Sequence, residues 1–212
     1  MPSELGCLRI RTTKRKASVR MPGKSADRAT RRARLIELIK SRSFQEGPEF
    51  KLASGKTSTF YFNMKPTMLD SEGAYLVASL ILDQLEGTDV DLIGGLEMGA
   101  VPIASSVAAV AFTEGRKLPA FFVRKQVKEH GTQALVEGLA KGESMAGKKI
   151  VVVEDVTTTG GSALKAADAL KAAGADIVRV ITIVDRLDGA AETFATAGLN
   201  FEPLLTLADF KK

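Results

Sequence analysis

An α/β fold, with a parallel sheet flanked by helices and an amino-terminal hairpin added to it, is predicted by three observations. Runs rich in valine and isoleucine, such as "KKIVVVED" from Lys148 and "DIVRVITIVDR" from Asp176, are near-continuous rather than alternating, the pattern of strands buried on both faces. Helical stretches separate such runs, as the crossovers of a parallel sheet require. The 212 residues can bury one substantial core, and 45% hydrophobic content without an apolar run of bilayer length argues against a membrane span.

The chain divides into a basic extension over residues 1–26, read as mostly disordered, and one domain over residues 27–212. Positive charge crowds the amino end: residues 1–34 carry roughly +9, which leaves about −4 for the rest of a chain of net charge +5. The basic stretch lacks interleaved aromatics for stacking bases, which speaks against nucleic acid as a partner. A solvated tail, an Arg/Ser-rich transit-like peptide and an overextended start, with Met21 as another beginning, stay open as readings of it. The single cysteine, Cys7, can close no internal disulfide and has no neighbouring metal ligands, which points to a reducing, cytoplasmic compartment.

Along the domain, "ADRATRRARLIELIKSR" places Ala33, Ile36 and Ile39/Lys40 at helical spacing with basic residues on the other face. "EGPEFKLASGKTSTFYFNMK" has β-compatible aromatics on both sides of Ser54-Gly55-Lys56, the composition of a hairpin that forms a hood over residues 44–65. "SEGAYLVASLILDQLEG" reads as a helix stopped by Gly87, and "VDLIGGLEMGAVPIASSVAAVAFTEG" as a strand, a glycine-marked loop and a helix. "LPAFFVRK" is a short strand, followed by a polar, glycine-punctuated stretch from Lys125 to Gly147. Strand, helix "SALKAADALKAAGA", strand, helix "GAAETFATAG" and a last strand "FEPLLTLAD" complete the domain.

Chemistry concentrates at "VVVEDVTTTGGSA". Ligands of open parallel sheets bind beyond the carboxyl ends of strands, and Glu154 to Ser162 occupy that position. The small Thr-Thr-Gly-Gly-Ser turn offers backbone N–H groups and hydroxyls at the positive end of the next helix dipole, which suits a phosphate. Neither G-x-x-x-x-G-K-[ST] nor G-x-G-x-x-G is present, so an ATPase cradle or a dinucleotide site has no motif support. Glu154 and Asp155 would repel an anion and must face sugar hydroxyls or the water shell of a divalent cation. A phosphorylated sugar satisfies both halves; the bland alternative is a capped helix with acids at its amino terminus.

The same stretch resembles the phosphoribosyl diphosphate signature of type I phosphoribosyltransferases: four hydrophobic residues, two acids, then a small-residue loop. The resemblance implies that Glu154 and Asp155 hold the ribose hydroxyls and that Val156, Thr157, Thr158, Thr159, Gly160, Gly161 and Ser162 wrap the 5-phosphate. "FFVRKQVKEHGTQALVEG" resembles the mobile catalytic loop of orotate phosphoribosyltransferases, placed here at residues 124–142, and puts Arg124, Lys125, Lys128 and His130 on the diphosphate. Cations in a closing, partly dried loop stabilise the charge that grows on that leaving group. "EFKLASGKTSTFYFN" resembles the hood of those enzymes, so Tyr61 and Phe62 contact orotate, Thr158 adjoins it, and Arg186 at the end of "VDR" grips its carboxylate bidentately. The bland readings are a solvated histidine in an exposed loop, aromatics of a hairpin core, and a structural salt bridge at Arg186.

Two departures from the pattern stand out. Ala53 occupies a hood position where enterobacterial members carry lysine, and Glu97-Met98-Gly99 replaces a common Tyr-Lys-Gly. The lost charge falls to the mobile loop and to Lys65 or Lys56 on the hood. What the resemblance implies is transfer of phosphoribosyl from its diphosphate to N1 of orotate, giving orotidine 5′-phosphate in pyrimidine nucleotide synthesis, with Lys128, His130 and Asp155 nearest the chemistry. It also implies Mg²⁺ carried chiefly by substrate and water, with no direct protein ligand, and a homodimer whose loops serve the neighbouring site. The rival readings are transfer to another base and a non-catalytic phosphoribosyl-diphosphate-binding regulator.

Overall fold

The computed structural model describes residues 27–51, 57–126 and 135–211. Helix α1 (Arg28–Arg42) begins where the Asp27 carboxylate accepts the Thr30 N–H at 2.7 Å, satisfying one of the free amides of its first turn. Its buried stripe is Leu35, Leu38 and Ile39, whereas Ala33 is exposed and Ile36 half-buried, so the face predicted from spacing is rotated toward the leucines. The opposite arginines are not a solvated face. Arg31 bonds both Asp83 oxygens at 2.8 and 2.6 Å, Arg34 reaches Glu72 at 2.7 Å, and Arg32 meets Asp209 at 2.7 Å. Part of the amino-terminal charge therefore fastens α1 to distant segments.

The hood is an antiparallel pair, β1 (Phe44–Lys51) and β2 (Thr57–Phe62), with Phe44 opposite Phe62, Glu46 opposite Phe60, and an irregularity before Phe50 pairs with Ser58. Its predicted turn at Ser54-Gly55-Lys56 lies outside the described residues, as does Ala53. After a short helix α2 (Lys65–Met68), helix α3 (Ser71–Gln84) starts at Asp70, whose carboxylate accepts the Glu72 and Gly73 amides. Then come β3 (Leu92–Leu96), α4 (Ala100–Thr113), β4 (Ala120–Val123), β5 (Val136–Glu137), β6 (Lys149–Thr157), α5 (Gly161–Ala172), β7 (Asp176–Asp185), α6 (Ala190–Thr196) and β8 (Phe201–Thr206).

The main sheet runs in the order β5-β4-β3-β6-β7-β8, parallel except for β5. Side chains of β6 alternate between two cores: Val151 and Val153 pack with α3 and α4, and Ile150 and Val152 with α5 and α6. Each such fully buried aliphatic contributes roughly 1.5–3 kcal/mol, so this central strand is held firmly from both sides. Its carboxyl end, where the polar residues begin, is correspondingly well placed. Three elements among the described residues escaped the sequence reading: α2, the 3₁₀ turn Leu207–Asp209 read as the end of the last strand, and β5, which lies within the stretch assigned to the mobile loop.

Candidate active site

The carboxyl ends of β3, β4, β6 and β7 converge on one edge of the sheet, with Leu96 level with Val123 and Thr157 level with Asp185. At the end of β6 the Glu154 side chain is buried, its Oε2 has no hydrogen-bond partner among the described residues, and Asp155 accepts its neighbour Val156's N–H at 2.9 Å. Burial, and then the adjacent Asp155 charge, push the Glu154 carboxyl from its ordinary 4.5 up to about 8. A buried acid with an empty oxygen is unfavourable unless a donor arrives. Thr157 Oγ1 is likewise buried and without a partner among the described residues.

Beyond the acids the chain turns through Thr158 and Thr159 to Gly160, whose φ of +84° and approach of 3.0 Å between a notional Cβ and the Phe194 ring both call for glycine. A small concavity of about 30 Å³ lies against Glu154, Val156, Thr157, Thr158, Gly161 and Ser162 at the start of α5. Opposite, the β3–α4 loop contains a cis peptide between Glu97 and Met98 and brings Gly99 onto the acids. Met98, at the position of the lost lysine, is exposed, and its neighbour Glu97 accepts the Lys125 N–H through Oε1 at 2.9 Å, which ties this loop to the end of β4.

Of the predicted diphosphate cations, Arg124 is half-buried with Nε on the Gln126 carbonyl at 3.3 Å and Nη1 3.9 Å from Glu137 Oε1. Lys125 is exposed beside it and close enough to Glu154 to favour that carboxylate's ionisation. Lys128 and His130 lie outside the described residues. Lys165, which the sequence reading did not single out, lines a cleft of about 340 Å³ with Arg124, Lys125, Leu135 and Ser162. Lys65 is exposed at the start of α2, and Lys56 is outside the described residues. Residues 135–137, predicted as part of the loop, instead pair with β4, with Arg124 N–H donating to the Leu135 carbonyl at 2.8 Å.

A second cleft, of about 360 Å³, opens between the hood and the end of β7 and is lined by Pro48, Glu49, Ser58, Phe60, Arg186 and Asp188 among others. Arg186 is only 4% exposed; its guanidinium lies 4.4 Å from the Phe60 ring centroid, donates from Nη2 to Ser58 Oγ and from Nε to Asp188 Oδ2, each at 3.1 Å. Its backbone N–H donates to the Thr157 carbonyl at 2.9 Å. Alternation along β2 decides which aromatics can serve this cleft. Phe62 is buried with Phe44 and Phe210, leaving its backbone rather than its ring for a ligand, and Tyr61 points outward to stack on Phe50 at 5.9 Å. Phe60, absent from the predicted set, is the ring beside the arginine.

A small-residue turn at a helix amino terminus, a buried acid with an unpartnered oxygen and a buried arginine under a hood are parts that suit a phosphorylated sugar and an anionic acceptor. The phosphoribosyl transferase domain family matches residues 68–197, which span α3 to α6, and the chain belongs to that family. Its relatives include orotate phosphoribosyltransferases. The enzyme of that name from Rhodopseudomonas palustris (strain TIE-1) is 58% identical over 179 residues, 84% of this chain and 95% of the relative. That of Sorangium cellulosum (strain So ce56) is 44% identical over 187 residues, 88% of this chain and 96% of the relative. The crystal structure of Mycobacterium tuberculosis H37Rv orotate phosphoribosyltransferase in complex with 5-phospho-alpha-D-ribosyl 1-diphosphate matches with a TM-score of 0.68 at 31% identity, over 89% of this chain and 95% of that one.

Proposed function

We infer that the protein transfers the phosphoribosyl group of 5-phospho-α-D-ribosyl 1-diphosphate to N1 of orotate, releasing diphosphate and forming orotidine 5′-phosphate. The observation that carries this reading is the pairing of two half-sites on one sheet edge: the acid-and-turn end of β6 and the hooded Arg186 at the end of β7. The turn from Thr157 to Ser162 takes the 5-phosphate through its amides and hydroxyls, as helix amino termini do. Glu154 and Asp155 accept the ribose hydroxyls, which gives the unpartnered Glu154 oxygen a donor. Arg186 takes the carboxylate of orotate, with Phe60 beside it and the hood excluding water.

As the C1–O bond breaks, positive charge grows on the ribose and negative charge on the diphosphate. Lys128 and His130 join Arg124 and Lys125 as the cations we assign to the leaving group; a site that closes over it makes each charge count for more than in water. No covalent enzyme nucleophile is required. For the family's Mg²⁺ the donor chemistry suits a substrate-borne ion, since the Glu154 and Asp155 carboxylates can accept from hydroxyls and from water in its shell. When bound there, the ion supplies charge to the diphosphate.

A homodimer is the working unit in this reading. Support comes from α4, which carries no charged residue in its fourteen positions and leaves Phe112 81% exposed. A face of that kind fits a second copy of the chain better than water. The single cysteine accords with a cytoplasmic setting.

The test is to follow orotate loss with phosphoribosyl diphosphate and Mg²⁺, omitting each component in turn and running adenine, guanine and uracil in parallel. Orotidine 5′-phosphate formed only in the complete orotate mixture is the expected result. Turnover of a purine instead, or tight and salt-sensitive nucleic-acid binding with no turnover by folded dimer, would overturn the reading.

A further inference from the structure

We propose that Asp188 is a built-in competitor for Arg186, a carboxylate that holds the guanidinium in the free protein, yields it to the carboxylate of the incoming pyrimidine, and reclaims it as the nucleotide product leaves. The inference rests on the functional reading above.

Three contacts fix Arg186, and they are unequal. Ser58 Oγ, at 3.1 Å from Nη2, and the Phe60 ring, 4.4 Å from the guanidinium carbon, belong to the hood hairpin and are held by its strand pairing. Asp188 belongs to an exposed turn; its side chain is 36% exposed while that of Arg186 is 4% exposed. The partner that faces water is the replaceable one, since leaving the arginine returns it to solvent at little cost, whereas an unpaired buried guanidinium would be costly. Exchange of one carboxylate for another keeps the buried charge neutralised throughout.

The backbone is bent to make this contact. Leu187, between the two residues, has φ of +60°, a region that bulky side chains rarely adopt, and its side chain is 58% exposed, so no packing compensates for the strain. Its N–H is held by the buried Asp185 carboxylate at 2.9 Å. This turn brings a carboxylate two residues on back against the guanidinium, and strain maintained without a packing return is characteristic of functional segments. Asp188 also lines the hood cleft together with Glu49, so two negative groups meet a substrate that is itself an anion. The free cleft is therefore not arranged for the tightest hold on orotate. Both substrate and product carry the same carboxylate, so Asp188 weakens both holds and favours release.

Calorimetric titration of orotate and of orotidine 5′-phosphate into the full chain tests this with D188N and D188A beside the wild type. Both variants are expected to bind both ligands about tenfold more tightly, the scale of removing one competing charge, with KM for orotate falling and the hold on phosphoribosyl diphosphate unchanged. A gain in affinity is not what a merely structural role would produce. Wild-type protein that binds both ligands, with neither variant binding more tightly, would overturn the competitor role alone; wild-type protein that binds neither would overturn the functional reading.

Discussion

Gly99, in the loop after β3, and Asp155, near the end of β6, meet so closely that a methyl group built on Gly99 would stand 2.7 Å from Asp155 Oδ1 and 3.1 Å from Glu154 Oε1. The backbone at Gly99, with φ −56° and ψ −45°, would admit alanine, so the restriction is purely spatial. G99A should therefore displace the acids rather than strain the loop, lowering stability by about 1–3 kcal/mol as overpacking does. Phosphoribosyl diphosphate affinity should fall with it, and thermal melts with and without that ligand would register both.

Glu154 makes stability depend on pH with a definite sign. Its carboxyl ionises near 4.5 when free and near 8 in the folded chain, so the folded state binds the extra proton between these values. The contribution is full below about pH 4.5 and is lost as pH rises through about 8. E154Q removes the cost of taking up that proton on folding, and of burying the charge above about pH 8, on the order of 1–3 kcal/mol. Melting temperatures of variant and wild type should separate in favour of E154Q from pH 6 to 9 and come together near pH 5.

Ribose hydroxyls donating to Glu154 favour its ionised form, so loading the sugar diphosphate at pH 7 should release protons. Titrations in buffers of different ionisation enthalpy would show it as a buffer-dependent heat, and E154Q should show less. A buffer-independent heat in the wild type would mean that the acid is not the sugar's partner.

In the proposed reading Arg186 serves the base by its side chain, and its amide is bonded to the Thr157 carbonyl. R186A should raise KM for orotate by roughly ten- to a hundredfold, the loss of a charge-assisted hydrogen bond, and leave the sugar diphosphate's affinity near wild type. R186K should recover little, because an ammonium cannot present the guanidinium's fork.

If α4 carries the contact between copies, F112E should shift the protein toward monomer in sedimentation experiments. Loop sharing makes a separate prediction: inactive K128A and D155N proteins should regain activity on mixing, once subunit exchange has been verified. No recovery after that exchange would count against shared sites.

The order of strands and helices was legible because continuous Val/Ile runs and glycine-punctuated helices are local signals, and the acids and the Thr-Gly turn stood at a strand end where a ligand belongs. The hood cleft was less so. Choosing Tyr61 and Phe62 over Phe60 requires the strand's facing, and the irregularity between Glu46 and Phe50 hides that register from the sequence. The Glu97 bond to Lys125 and the Arg34 bond to Glu72 each join residues far apart in the chain, so the sequence shows only a departure from Tyr-Lys-Gly and a helix with basic residues on one face. The rotated stripe of α1 follows from the same limit: its partners, not its spacing, choose the buried side.

Because the amide of Arg186 is bonded to Thr157, the proposed hold on the base and the proposed hold on the sugar phosphate share one rigid joint. The distance an acceptor nitrogen must cross to the anomeric carbon is thereby dictated by strand register instead of by adaptable side chains. Altered base preference should accordingly be sought by rebuilding the hairpin that covers the arginine, with the pentose end left as it stands.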